Sequence, residues 1–387
     1  MNSMFKALGR LVVGSFQKKG KHIPNVEGNQ FSCDRLEAWH KAAKQGDSDA
    51  QCQLGECYSY GEGVPQDYRE AEKWYRLAAE KGDAIAQKNI GVFYDNGTGV
   101  EQNYSEAAKW YRLAAEQGLA GAQNDLGVCY YEGHGVPQNH GEAFRWYLKA
   151  AKQGNVEAFV NLALCYQLGI GVAQSFSEAA VWHRKAADLG KTESQRFLGS
   201  FYSIGTDARQ NYFEAARWYR KAAEQGDSKA QFFLAGCYES GSGVEQNNAE
   251  AVKWYSKSAA QGNTESQCCL GMCYANGDGV SKDVVEGYLW VKFAEDQGDE
   301  RAPEVMDLVA SLLTLEQVIE AESRYAEFKS LHQPAQSFKQ RIADALGGNA
   351  DEAKVKDVED KLRKHFKEKA ADALERIKSR RAKGQEF

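Results

Sequence analysis

Residues 47–82 read DSDAQCQLGECYSYGEGVPQDYREAEKWYRLAAEKG, and residues 83–118 read DAIAQKNIGVFYDNGTGVEQNYSEAAKWYRLAAEQG. Laid over one another they match Gly82 with Gly118 and Trp74 with Trp110, an interval of 36 residues. The interval continues through Gly154, Gly190, Gly226, Gly262 and Gly298 and runs back to Gly46. In that register Trp146, Trp182, Trp218, Trp254 and Trp290 extend the tryptophan column, Tyr58, Tyr94, Tyr130, Tyr166, Tyr202, Tyr238 and Tyr274 form a second column, and Leu54, Ile90, Leu126, Leu162, Leu198, Leu234 and Leu270 a third. A fixed period of this size marks stacked repeats, each too small to bury its own apolar face. It also resolves the length: 387 residues exceed one ordinary core, whereas an array adds core linearly.

Local signals divide each repeat into two helices, so the fold class is all-α. In the first, Ala50, Leu54 and Tyr58 make an apolar stripe at i, i+4, i+8, and Gly55 permits close approach of a neighbour. This helix A stops at a loop whose first glycine, Gly61, recurs in all seven repeats and whose second, Gly63, recurs in six, which fits positive φ after a helix end. Helix B opens with a capping-box pattern in every repeat: Asp67 with Glu70, Asn103 with Glu106, Asn139 with Glu142, Ser175 with Glu178, Asn211 with Glu214, Asn247 with Glu250 and Asp283 with Glu286. Within helix B, Ala71, Trp74, Tyr75, Ala78 and Ala79 follow helical spacing, with small residues flanking large rings. Stacking of successive hairpins then buries both stripes.

The strings Ala50-Gln51, Leu54-Gly55, Gly61-Glu62-Gly63-Val64, Gln66-Asp67-Tyr68, Glu70-Ala71 and Lys73-Trp74-Tyr75-Arg76-Leu77-Ala78-Ala79-Glu80 resemble the Sel1-like repeat signature, a branch of the tetratricopeptide superfamily. The resemblance covers residues 36 to 300. It implies a right-handed superhelical solenoid of helix-turn-helix repeats whose A helices line a concave groove. It also implies an adaptor or scaffold role in complex assembly, and no common chemistry.

The expected organisation is a basic, partly disordered leader over 1–35, a capping helix over 36–46, seven repeats over 47–298, capping helices over 299–333 and a charged helical tail over 334–387. Leu36, Ala38, Trp39, Ala42 and Ala43 look like a helix B without its helix A, and Thr314 with Gln317 announces a closing helix near the other end. The fifth repeat departs from the pattern, with Asp207 and Ala208 in place of glycine and valine, which predicts a distorted loop. In the tail, Val355, Val358, Leu362, Phe366, Ala370, Leu374 and Ile377 step by three or four, a narrow seam for a partner helix. That partner is either internal or a second copy, so tail-mediated self-association is one reading and a single charged helix the other.

A net charge of −6 with the two signs interspersed gives no electrostatic reason to expect a nucleic-acid partner; a protein or peptide is the expected one. No run approaches the ~18 apolar residues of a membrane span. A cytoplasmic location is expected, with peripheral attachment to a membrane surface through residues 1–22 as the alternative, because Met4, Phe5, Leu8, Leu11, Val12 and Phe16 fall opposite Lys6 and Arg10 on a helix. The plainer reading of that segment is a frayed basic tail.

Nine cysteines invite a metal or disulfide reading, but Cys57, Cys129, Cys165, Cys237 and Cys273 share one column and Cys52 and Cys268 another, so they recur because the repeat recurs. They read as small buried hydrophobes of a reducing compartment, with no metal site. No cofactor is expected: the loop Gly-x-Gly follows a helix and lacks the third glycine of a phosphate cradle. His183 replaces a column tyrosine and reads as a packed ring. Some cysteine-rich members of the family have been assigned β-lactam hydrolysis, and Ser15 with Lys18 fits Ser-x-x-Lys, yet no companion motif accompanies the pair. The expected function is a non-catalytic, protein-binding scaffold, with such a hydrolase as the alternative.

Columns that vary between repeats are free to face a ligand. Two positions of helix A do so, and the resemblance to tetratricopeptide grooves points them at the concavity. Their members Lys88, Val92, Asn124, Val128, Val160, Leu164, Arg196, Phe232 and Met272, with Tyr131, Leu168 and Ile204 nearby, form the candidate partner-binding groove. The apolar ones gather in repeats four to six, which suits a short apolar peptide or helix, unless curvature buries them. Lys88 and Arg196 are placed to take a carboxylate.

Overall fold

The computed structural model describes residues 33–205 and 210–332, and within them every regular element is an α-helix. The chain divides into two compact units between Asn155 and Val156. Residues 1–32 of the leader, the Asp207 loop and the tail seam lie outside the described residues, and the capping helix begins at Cys33 rather than at 36.

The first unit holds α1 (Cys33–Lys44), then three hairpins: α2 (Ser48–Tyr60) with α3 (Tyr68–Glu80), α4 (Ala84–Asn96) with α5 (Tyr104–Glu116), and α6 (Ala120–Glu132) with α7 (His140–Lys152). The second holds α8 (Val156–Leu168) with α9 (Phe176–Asp188), α10 (Thr192–Ile204) with α11 (Tyr212–Glu224), α12 (Ser228–Ser240) with α13 (Asn248–Ala259), α14 (Thr264–Asn276) with α15 (Val284–Asp296), and then α16 (Ala302–Ser311) and α17 (Leu315–His332). Inside each unit consecutive helices pack against one another in chain order as far as α16, and α17 packs back on α15.

The helix ends follow the sequence signals, with one difference. All seven helix B N-caps accept from the backbone N–H three residues on, as Asn139 does from Glu142 at 3.0 Å. The reciprocal half of the box is not made. The Asn139 N–H donates instead to the Tyr130 carbonyl at the end of the preceding helix, and Glu142 pairs with Arg145 at 2.6 Å. The cap therefore ties helix B to helix A. Thr314 and Gln317, by contrast, bond in both directions, at 2.9 and 3.3 Å.

Spacing alone does not say which ring fills the centre of a hairpin. The tyrosine after the column tryptophan is buried in five hairpins, where Tyr75, Tyr111, Tyr147, Tyr219 and Tyr255 are at most 4 % exposed, and of the tryptophans Trp218 is fully buried with them. A Cβ on Gly91 would stand 2.7 Å from the Tyr111 ring and one on Gly127 2.6 Å from that of Tyr147, so glycine is the residue that lets the A helix touch the ring. Where alanine replaces it, the ring changes or shifts: Ala163 is paired in register with His183, and Ala235 is followed by Gly236, which leaves room for Tyr255. The tryptophans lie at the seams, where Trp110 packs on the core of the preceding hairpin and Trp146 on the next such core.

Polar ladders stitch hairpin to hairpin. Gln87 donates to the Ala79 carbonyl at 3.1 Å and accepts from Gln117 at 2.7 Å. Gln123 with Gln153, Gln195 with Gln225, Gln231 with Gln261 and Gln267 with Gln297 repeat the pair at 2.7 to 2.9 Å. A second ladder runs from Arg76 to the Tyr94 hydroxyl at 2.6 Å and is repeated by Arg112 to Tyr130, Arg184 to Tyr202 and Arg220 to Tyr238. These bonds satisfy helix-end carbonyls and phenol hydroxyls that would otherwise be stripped of water.

Candidate functional site

Inside each unit an A helix packs on its own helix B and on the helix B before it, and the side turned away from them carries the half-buried and exposed positions. In the second unit that open side changes character along the array. Leu164 on α8 is half-buried and Leu168, one turn on, is 38 % exposed; Ile204 at the same place on α10 is 67 % exposed. Beside them stand two phenylalanines absent from the sequence-based set. Phe197 is stacked on His183 with ring centroids 4.0 Å apart, and Phe233 on Tyr219 at 5.0 Å while remaining 37 % exposed. Phe232 lies 5.4 Å from Phe233 and 6.0 Å from Tyr255 of its own hairpin, half-buried against the core that runs from there to the end of the array. Each ring is clamped by a buried ring beneath, so its outer face is held in place for a contact. This costs little side-chain entropy on binding, since few rotamers remain to be lost.

Two carboxylates and two cations flank this face, already paired. Lys191 reaches Glu157 at 2.8 Å, and Arg196 reaches Asp227 at 3.2 Å. Arg196 is thus occupied by a carboxylate of its own unit, contrary to its expected availability for a ligand carboxylate.

The open side of the first unit is different. Val92 and Val128 are half-buried, and Val92 packs into the core of the α5–α6 layer. Asn124 is 7 % exposed and so belongs to the interior, against the expectation that it faces a ligand. Lys88 and Tyr131 are half-exposed, the Tyr131 ring lying 5.3 Å from His140. Around them burial pushes the carboxyls of Glu56, Asp95 and Glu132 above the usual carboxylate range. His134 sits 3.0 Å from Glu132 and stacks on Tyr104 at 4.3 Å. Partly buried acids of this kind gain from a cation brought by a partner.

Of the twelve expected residues, the structure places Val160, Leu164, Leu168, Ile204 and Phe232 in one unit, with Met272 half-buried on α14 against the same core that packs Phe232. The signal for the missing phenylalanines was present in the repeat itself. Their column reads Gln53, Asn89, Asp125, Asn161, Phe197, Phe233, Cys269, polar in four repeats and then abruptly aromatic.

His183 and most of the cysteines are enclosed. His183 is 3 % exposed, its Nδ1 3.0 Å from the hydroxyl of fully buried Ser194, and burial with the nearby Arg196 charge lowers its pKa to about 3. Burial pushes the Cys129 and Cys165 thiols up to about 12. Among the described residues no group of three or more histidines, cysteines or carboxylates is arranged to hold a metal, and no helix is long and apolar enough to cross a membrane.

Stacked two-helix hairpins tied by inter-repeat ladders define a helical repeat solenoid. The Sel1 repeat matches residues 48–83, 84–119, 120–155, 157–191, 192–227, 228–263 and 264–299, and the chain belongs to the Sel1 repeat family. It is similar to a Sel1 repeat protein from Oxalobacter formigenes, 31 % identical over 78 % of this chain and 85 % of that one, with a TM-score of 0.56. It is also similar to a protective antigen of uropathogenic Escherichia coli with an SLR fold, at 27 % identity over 82 % and 90 % of the two chains and a TM-score of 0.34. None of the curated proteins matches.

Proposed function

We propose that this chain is a non-catalytic adaptor that takes an apolar protein or peptide segment on the open side of the A helices of its second unit. The observation that carries the reading is the clamped aromatic face: Phe233 and Ile204 remain exposed at columns that vary, while the columns around them are buried repeat after repeat. Exposed rings held rigidly beside aliphatic side chains are the usual anchors of a protein interface. Leu164, Leu168 and Phe232 extend the surface, and Val160 borders it.

The test compares affinity capture by wild type with Leu164→Asp and Phe233→Asp, both on the surface and outside the buried columns. A partner retained by wild type and lost from both variants supports the reading; one retained equally by all three removes this face from the interaction. The hydrolase alternative is separated by a chromogenic β-lactam assay on the purified chain. Turnover abolished by one side-chain substitution would defeat the adaptor reading.

A further inference from the structure

On α11, the helix B of the fifth repeat, a hollow of about 190 Å³ opens beside Phe213, whose ring is 67 % exposed. Buried Ala216 lies at its base, and Gly243 and Val244 of the α12–α13 connection close one side. That side is fixed, because Val244 packs on the core of α11 and α12 and a Cβ on Gly243 would run into the Tyr212 carbonyl. Arg217, Arg220 and Lys221 line the rest, with Glu224 as the one acid of the lining. Arg217 pairs with Glu214 at 3.1 Å. The other two cations have neutral neighbours: Arg220 donates to the Tyr238 hydroxyl at 2.9 Å, and the Lys221 ammonium stands 4.3 Å from the centre of the Trp218 ring. Among the described residues no carboxylate lies within ion-pair distance of either.

The first repeat supplies a comparison. There Arg76 holds the place of Arg220 and bonds the Tyr94 hydroxyl in the same way, but Glu72 stands at the position of Ala216 and accepts from both Nε and Nη2 of Arg76. The fifth repeat keeps the arginine, loses that internal carboxylate, and brings Lys221 and Phe213 where the first has Leu77 and Arg69. By register, the hollow over Ala216 is where a glutamate carboxylate sits in the first repeat.

We propose that this hollow binds an acidic segment of a partner protein, with a carboxylate over Ala216 held by Arg220 and Lys221 and an adjoining apolar side chain laid against Phe213. A guanidinium carries five N–H donors, so the bond to Tyr238 leaves a pair for a carboxylate. Covering the Phe213 ring removes apolar area from water beside the charge contact. Glu224 on the rim repels a phosphate dianion more strongly than a single carboxylate. The site uses a helix B and none of the residues of the A-helix face, so it stands or falls separately from the reading of that face.

The full chain is screened by fluorescence anisotropy against a fluorescein-labelled hexapeptide library that places Asp or Glu beside each apolar residue, and against the same peptides with Asn or Gln instead. The acidic members are expected to bind more tightly than their amide counterparts, to weaken on the order of tenfold in Arg220→Gln and in Phe213→Ser, and to weaken with added salt. Both residues are exposed, and an unchanged urea midpoint verifies that each variant is folded. Ala216→Glu, which restores the carboxylate of the first repeat, is expected to weaken the same peptides. The proposal is overturned if no acidic peptide binds, if the amide peptides bind equally, or if binding is unchanged in Arg220→Gln or Phe213→Ser. It is also overturned if inorganic phosphate at matched ionic strength displaces the peptides, or if the chain binds phosphatidylserine vesicles and loses them in Arg220→Gln, since the cations would then serve phosphate or a membrane.

Discussion

Replacing Gly91 by alanine should destabilise this protein although alanine is the better helix former. Gly91 lies within α4, where the exchange alone gains about 1 kcal/mol by reducing the entropy lost on folding. Its new Cβ would stand 2.7 Å from Cδ1 and Cε1 of Tyr111, about an ångström inside normal carbon contact. Tyr111 is 3 % exposed and cannot swing into solvent, so ring and helix must part. Overpacking a closed core costs ~1 to 3 kcal/mol, and a shift of this size falls at the upper end, leaving a net loss of roughly 2 kcal/mol. Gly121 on α6 is the control: the nearest atom to its Cβ would be Cε of Lys88 at 3.7 Å, so only the propensity gain applies. Hairpin six shows the compensation, because there Ala235 is followed by Gly236 and the Tyr255 hydroxyl lies 3.8 Å from where a Cβ on that glycine would be. Urea unfolding followed by circular dichroism gives the midpoints, and hydrogen exchange of residues 84–118 localises the effect, since an array need not unfold as one unit. A midpoint that rises in Gly91→Ala as it does in Gly121→Ala would refute the claim that ring contact fixes the glycine column.

His183 should make the protein acid-sensitive. Its pKa is lowered to about 3 in the folded chain, below the ~6.5 of an unfolded one, so between those values the unfolded state binds the extra proton. The stability tied to the neutral ring is complete above about pH 6.5 and falls as the pH drops, by roughly 2 kcal/mol at pH 5; the urea midpoint difference between pH 7 and pH 5 should shrink in His183→Gln, and an unchanged difference contradicts the assignment. In the glutamine ladder, Gln267 is fully buried and bonds both the Ala259 carbonyl, at 3.2 Å, and Gln297, at 2.9 Å. Gln267→Ala should cost ~1 to 3 kcal/mol and the outer Gln297→Ala less, with a double-mutant cycle showing coupling between them; additive losses would mean the two side chains act independently.

The repeat made the hairpins legible because a helix boundary needs only local chemistry. Asp67 or Asn103 at an N-cap and Gly61 or Gly97 at a C-cap act within a few residues, and the structure places the ends there. The same columns could not reveal partners across the hairpin. Glu142 three residues after Asn139 reads as a reciprocal box, yet the backbone N–H it would accept from is already taken by the Tyr130 carbonyl, a residue nine positions back. Nor could spacing rank Trp74 against Tyr75, which are adjacent and equally regular; only the docking of the A helix decides that the tyrosine goes to the centre. Arg196 failed as a ligand group for a similar reason, its carboxylate coming from Asp227 in the next hairpin.

Variation within a repeat carries more information once the pairing is known. Phe159 replaces a ladder glutamine in the same repeat where Leu189 replaces its partner, and His183 replaces the central tyrosine where Ala163 replaces the glycine. These departures compensate one another, so they report packing and say nothing about a ligand. The change to Phe233 is of another kind. Phe197 and Phe233 each stack on the residue of the tyrosine column beneath, His183 or Tyr219, as Tyr219 could equally accept a smaller neighbour, yet Phe233 keeps more than a third of its surface open. Phe233 turns aromatic over an unchanged Tyr219 and places apolar area where water is, and that uncompensated departure is what supports the proposed contact on the second unit.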